Sequence, residues 1–207
     1  MGRPRVHDEN AILDAAEKLL AGGDPNALTI RSLAKHTGAP SGSLYHAFGS
    51  RSGLLGAMWL RGARLFLAHQ RRSVEAALAG RGTPRENALA ATIAAARTFA
   101  DLRRERPDTA AFLMSHRRER LLDERLPAEL AAALRELDRE LLSMLRTLAE
   151  ALWDRTDRVA VDTVAACVVD LPTALLVSRR PRRVDAEHLL AAAVRGIIEH
   201  APPPPPE

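Results

Sequence analysis

Apolar residues return every three or four positions along nearly the whole chain, and no segment alternates with the period of two that marks a half-buried strand. Ile12, Leu13, Ala16, Leu19 and Leu20 form one stripe and predict a first helix from about Asp8 to Ala21, ended by Gly22-Gly23-Asp24-Pro25. A short helix follows Thr29, a good N-cap, and stops at Gly38, where glycine takes the left-handed conformation at little steric cost. After the tight turn at Gly38-Ala39-Pro40 a second short helix follows, with Leu44 and Phe48 as apolar anchors. Ser50 caps a long helix that reaches about Ala79. The clearest break is Gly80-Arg81-Gly82-Thr83-Pro84, in which Thr83, Pro84 and Glu86 read as a capping box with proline in its preferred place. Further helices are predicted from Pro84 to about Arg104, from Pro107 to about Arg118, from Pro127 to about Asp154, and from Asp157 to about Val177 with a kink at Pro172. A basic loop, Arg179-Arg180-Pro181-Arg182-Arg183, precedes a last helix capped by Asp185 and ending near His200. The fold class is all-α.

The two short helices with the tight turn between them have the geometry that lays a second helix in the DNA major groove. Ala34 is small enough for two helices to cross closely, and Leu33, Leu44 and Phe48 supply apolar anchors. Ser41, Ser43, Tyr45 and His46 leave hydrogen-bonding groups around the second helix. No acidic residue occurs between Asp24 and Glu75, an interval holding Arg31, Lys35, Arg51, Arg61, Arg64, Arg71 and Arg72. Such an interval suits a polyanion. A solvated basic face is the alternative, because Lys18 and Lys35 are the only lysines and arginine serves everywhere else.

Composition narrows the remaining classes. A chain of 207 residues, 46% hydrophobic and 3% aromatic, has room for one or two small helical domains. Cys167 is the only cysteine, so an intrachain disulfide is excluded and a reducing cytoplasm is the expected setting. The first ten residues are polar and carry no signal-peptide pattern. The stretch from Val159 to Val177 is the most membrane-like, but it contains Asp162, Asp170 and Pro172. A mid-span Asp costs roughly 2.5–3.5 kcal/mol to insert, so a helix buried in protein and no membrane partner are expected. The histidines are scattered, Gly49-Ser50-Arg51-Ser52-Gly53 has arginine where a nucleophile elbow needs serine, and no phosphate-cradling glycine loop occurs. No catalytic residue, metal or cofactor is therefore expected. The tail 201–207, with Pro202 to Pro206, is expected to be disordered, with docking as a polyproline II ligand the alternative.

The block Gly42-Ser43-Leu44-Tyr45-His46-Ala47-Phe48-Gly49-Ser50-Arg51, with Leu54-Leu55 beyond it and one helix before the helix-turn-helix, resembles the tetracycline-repressor (TetR) family of regulators. The specific part of the resemblance covers about Asp8 to Leu67. It implies an N-terminal three-helix DNA-binding head over 8–67 and a C-terminal helical ligand-sensing and dimerisation body over 84–200. It also implies roles. Thr29, Tyr45, His46 and Arg51 would hold phosphates, and Arg31, Ser41, Gly42 and Ser43 would face base edges or the nearby backbone. Arg31 is the best candidate for specificity, since an arginine bidentate to guanine is worth about 1–3 kcal/mol of discrimination. The chain departs from the pattern at four places. Pro40 stands where a side-chain cap is usual and leaves Ser41 to take over the cap. Ala47 replaces an aromatic residue or histidine, Arg51 replaces a lysine, and Ser52-Gly53 replaces a pair often containing an acid.

The last helix presents Leu189, Leu190, Ala193, Val194, Ile197 and Ile198 on one stripe, and the preceding one is apolar on most sides through Val164, Ala165, Cys167, Val168, Leu171 and Leu175. Two such helices suit a self-associating four-helix bundle or burial against the chain's own body. The resemblance implies a homodimer, and a dimer implies a near-palindromic operator. It also makes the body the sensor of a small-molecule effector, with Ile93, Arg97, Phe112, His116, Met144, Trp153, Cys167 and Asp170 as pocket candidates. Asp170 would orient a ligand, pair with Arg97, or satisfy backbone freed by Pro172. The expectation is a ligand-responsive repressor that binds double-stranded DNA. The alternative is a helical ligand-binding or interaction protein with a weak or inactive head.

Overall fold

The computed structural model describes residues 8–21, 28–115, 127–177 and 185–200. His116, the basic loop 179–183 and the proline tail 201–207 lie outside the described residues. Helix α1 spans Glu9–Ala21, and the Asp8 carboxylate caps it by accepting the Asn10 N–H at 3.0 Å. Helix α2 spans Ile30–Thr37 behind a full capping box: the Ser32 N–H donates to Thr29 Oγ1 and the Thr29 N–H donates to Ser32 Oγ, both at 2.9 Å. Gly38, at φ 70°, closes it by donating to the Ala34 carbonyl.

Helix α3 spans Ser41–Phe48, and the cap expected of Ser41 does not form. Pro40 is the N-cap and makes no side-chain bond, while its carbonyl accepts the N–H groups of Ser43 and Leu44 at 3.0 and 3.3 Å. Ser41 is already inside the helix and is exposed.

Helices α4 (Arg51–Leu78), α5 (Pro84–Glu105), α6 (Pro107–Ser115) and α7 (Ala128–Trp153) follow. The Thr83–Glu86 box opens α5, and two hydrogen bonds from Thr83 lower the Glu86 pKa. Helix α8 spans Arg158–Ala165 and continues through π-helical turns over Ala166–Asp170 and Thr173–Val177. These turns flank Pro172, which has no N–H to give the preceding turn and whose ring crowds that carbonyl. The Leu171 N–H reaches back five residues, to Ala166. Helix α9 spans Ala186–Glu199, with Asp185 as its side-chain cap.

These helices form two compact units. The first comprises Met1–Ala63 and Arg106–Arg135, the second Arg64–Glu105 and Glu136–Glu207, so α4 and α7 contribute to both. The first unit is centred on Leu13, Ala16, Leu28, Leu33, Leu44, Phe48, Leu54 and Met58, joined by Phe112 of α6, which packs on α1. The boundaries read from the sequence placed α6 with the body.

The core of the second unit joins a row of small residues on α5, Ala88, Ala91, Ala95 and Ala96, to Leu145 and Leu148 of α7 and to the last two helices. Alanine lets α9 lie close along α5. Four residues expected at a dimer interface are therefore occupied at home: Val164, Leu190 and Val194 are 0% exposed and Val168 is 4% exposed, all within this core. Leu171, Leu175 and Ile197 are half-buried against it, Ala193 is half-buried, and Leu189 is exposed. Among the described residues, one helical stretch, Arg158–Leu176, is long and apolar enough to cross a membrane. Val161, Val164, Cys167 and Val168 within it face the protein core, and Asp162 and Asp170 are exposed.

Candidate nucleic-acid interface

In the first unit α3 commits Leu44 and Phe48 to the core, and Ala39 is buried just before it. Every other residue from Ser41 to Ala47 is exposed. Tyr45 is 57% exposed, the most exposed large hydrophobic residue described. Thr29 and Arg31 are exposed at the start of α2, with Lys35 and His36 at its end. Seven of the eight residues assigned to DNA thus sit at or beside the start of α2 or along α3, with no part in the core.

Arg51, the eighth, has a task in the fold. Its Nε–H donates to the Leu28 carbonyl at 3.0 Å, across 23 residues of sequence. The two glycines nearby differ in meaning. A Cβ on Gly42 would meet nothing within 4 Å, so no neighbour within the protein requires glycine there. A Cβ on Gly53 would stand 2.0 Å from the Phe48 carbonyl oxygen, so glycine is required for the first turn of α4 to lie against the end of α3.

Not every cation of the acid-free interval belongs to this surface. Arg61 contacts Asp14 at 2.8 Å and Glu17 at 2.7 Å and donates to the Asn10 carbonyl at 2.8 Å. Glu17 is 4% exposed and also accepts the Thr109 hydroxyl at 2.7 Å, which ties α1, α4 and α6 together. The sequence reading missed Glu17, although its place beside Leu13 and Ala16 on the apolar stripe signalled a buried acid in need of a cation.

The pocket candidates are dispersed. Met144 lines a groove of about 430 Å³ between α4 and α7, with Leu67, Val74 and Leu78 as apolar wall and Arg71, Glu75, Glu136, Arg139 and Glu140 as charged lining. Ile93 and Arg97 line an open cleft of about 570 Å³ that includes Arg195 of α9. Trp153 borders a third, of about 580 Å³, beside Pro84 and Arg155. Phe112 lies in the core of the first unit.

Arg97 does not pair with Asp170. It binds Glu187 at 2.9 Å, as Arg104 does at 2.5 Å, and the bond from Arg97 is the largest of the effects that lower the Glu187 pKa. Asp170 is exposed, and Cys167 is sealed, with burial pushing its thiol up to about 11. A polar residue the sequence reading passed over is Gln70, which is 1% exposed. Its Nε2 donates to the Ala95 carbonyl at 2.9 Å, while its Oε1 has no partner among the described residues.

Residues 12–58 match the family described as bacterial regulatory proteins, tetR family. None of the curated proteins matches the chain. Among solved structures, the TetR family transcriptional regulator PfmR from Thermus thermophilus is 22% identical, with a TM-score of 0.59 over 92% of this chain and 95% of its own. The ketosteroid transcriptional regulator KstR2 of Mycobacterium tuberculosis is 16% identical, with a TM-score of 0.57 over 94% of both chains. The transcriptional regulator FadR from Bacillus subtilis, in complex with stearoyl-CoA, is 16% identical, with a TM-score of 0.61 over 92% of this chain and 98% of its own. At these identities the likeness establishes a shared all-α fold.

Proposed function

We propose that this chain, whose residues 12–58 match the family described as bacterial regulatory proteins, tetR family, is a dimeric, ligand-responsive repressor that reads a near-palindromic DNA operator from the cytoplasm. One observation carries the reading. The first turn of α2 and the outward face of α3 turn Arg31, Ser41, Gly42, Ser43, Tyr45 and His46 to solvent, and none of them is buried in the core. Arg31 is the base-reading candidate, and Thr29, Tyr45 and His46 are the phosphate-holding ones, since hydroxyls, imidazole and helix-start amides suit phosphate oxygens.

One such head covers a half-site, so a second copy is required for a palindrome. Leu189, Ala193, Ile197, Leu171 and Leu175 are the members of the two terminal helices left to meet it, because Val164, Val168, Leu190 and Val194 are spent on the chain's own core. The α4–α7 groove, with an apolar wall and charged lining, suits an effector with an apolar body and polar ends. FadR of Bacillus subtilis, similar in fold, holds stearoyl-CoA. The effector would act by favouring a conformation in which the two heads no longer match the operator.

The test is selection of bound fragments from bacterial genomic DNA by purified protein, followed by affinity across a salt series. The expected result is a near-palindrome whose binding is lost on Tyr45→Ala and whose selectivity at one base pair is relaxed on Arg31→Ala. Weak binding without enrichment, in protein shown to be free of small molecules, refutes the reading and leaves a helical ligand-binding or interaction protein.

A further inference from the structure

We infer that Arg51 is a positioning residue of the DNA-binding head: through the Leu28 carbonyl it sets the turn from which Thr29 and Arg31 project. The inference rests on the DNA reading above and changes the part Arg51 plays in it, from a contact with DNA to a brace behind the contacts.

The backbone explains why a brace is needed. The hydrogen-bond ladder of α2 begins at the Thr29 carbonyl, which accepts the Leu33 N–H at 2.9 Å. The Leu28 carbonyl therefore stands outside the ladder, one residue before the N-cap. The Leu28 side chain is 0% exposed, which anchors one end of this residue, and the Arg51 Nε–H at 3.0 Å anchors the other. Arginine suits the task because its Nε–H is held in a rigid plane, whereas the lysine ammonium turns freely on a flexible stem.

The element that carries Arg51 is itself held. The Ser50 N–H donates to the Phe48 carbonyl at 2.7 Å, and Ser50 Oγ accepts the Gly53 N–H at 3.1 Å. Gly53 packs so close to the Phe48 carbonyl that any side chain is excluded. The end of α3 and the start of α4 thus form one corner, and Arg51 links that corner to the start of α2. Two surfaces that must meet DNA together, the α2 turn and the face of α3, are registered to each other through this guanidinium.

The experiment compares wild type, Arg51→Lys and Arg51→Met at a temperature where all three are folded. Three quantities are read: hydrogen exchange of the Ser32 and Leu33 amides without DNA, affinity for the best selected genomic fragment relative to a random-sequence duplex, and the salt dependence of both. The expected result for Arg51→Lys is at least fivefold faster exchange at the two amides. Its preference for the selected fragment should fall about tenfold, with the slope of log affinity against log salt unchanged, because the charge is kept. A general loss of stability lowers both affinities together and leaves their ratio alone, so the ratio separates registry from mere folding.

The inference is overturned if Arg51→Lys matches wild type in exchange and preference while Arg51→Met flattens the slope by about 0.9, the signature of one lost phosphate contact. If wild type binds neither duplex, the reading of the site fails on its own. The brace is then judged by exchange alone, with unchanged exchange in both variants refuting it.

Discussion

Gly42 offers a substitution whose effects on the fold and on DNA have opposite signs. It lies in the first turn of α3, and a Cβ placed there meets no atom within 4 Å. Glycine within a helix costs about 0.8–1.0 kcal/mol relative to alanine, and a first-turn position keeps about half of that. Gly42→Ala should therefore raise stability by about 0.5 kcal/mol, which in a unit of this size moves the melting temperature up by about 2–4 °C. On the proposed DNA reading, the same methyl group would stand on the exposed face that meets the duplex. A loss of about tenfold in affinity, or about 1.4 kcal/mol, is expected for specific and random duplexes alike. Thermal unfolding followed by circular dichroism gives the first number, and fluorescence anisotropy with a labelled duplex gives the second. Higher stability with unchanged DNA affinity would refute the placement of Gly42 at the contact surface, and lower stability would refute the account of the space around it.

Arg61→Met should cost about 3–5 kcal/mol in urea unfolding, because it strands the Glu17 carboxylate, 4% exposed, without its cation; a cost below about 1 kcal/mol would refute the place given to this ion pair in the first unit. Asp157, which caps α8, has its carboxyl held down at about 2 from an ordinary 3.8, first by the hydrogen bond from Arg155. A folded pKa below the unfolded one means that this contribution is complete above about pH 4 and disappears as the pH falls through about 2. Acid titration of the melting temperature should accordingly be shallower over that interval in Asp157→Asn than in wild type, and identical slopes would discount the cap. Cys167, fully buried with its thiol pushed up to about 11, should react with a thiol reagent at about pH 8 only at the rate of unfolding; rapid labelling of native protein would contradict its burial.

The caps and stripes were legible because their causes are local. Thr29, Thr83 and Asp185 each bond to amides two or three residues away, and the neighbouring letters contain that information. The outward face of α3 was legible for the same reason, since Leu44 and Phe48, four residues apart, decide which side turns in. Ser41 offers the side-chain chemistry of a cap, but the backbone places it inside the helix, which the Pro40 carbonyl opens. Arg61 and Arg51 looked alike as positive letters in an acid-free interval. What separates them is a partner 44 residues away for one and 23 residues away for the other.

By itself the sequence determined the all-α class, the helix order, most helix starts and the outward face of α3, because helix period, capping and side-chain type act over one to four residues. Only the tertiary structure decided which apolar stripes are consumed in the chain's own core. Val164, Val168, Leu190 and Val194 have the same apolar character as Leu189, and packing against the alanine row of α5 distinguishes them. It also decided that α6 joins α1, through the buried Glu17 and Thr109. Burial and ion pairing depend on which surfaces meet across long stretches of chain, and a pattern of single letters does not carry that.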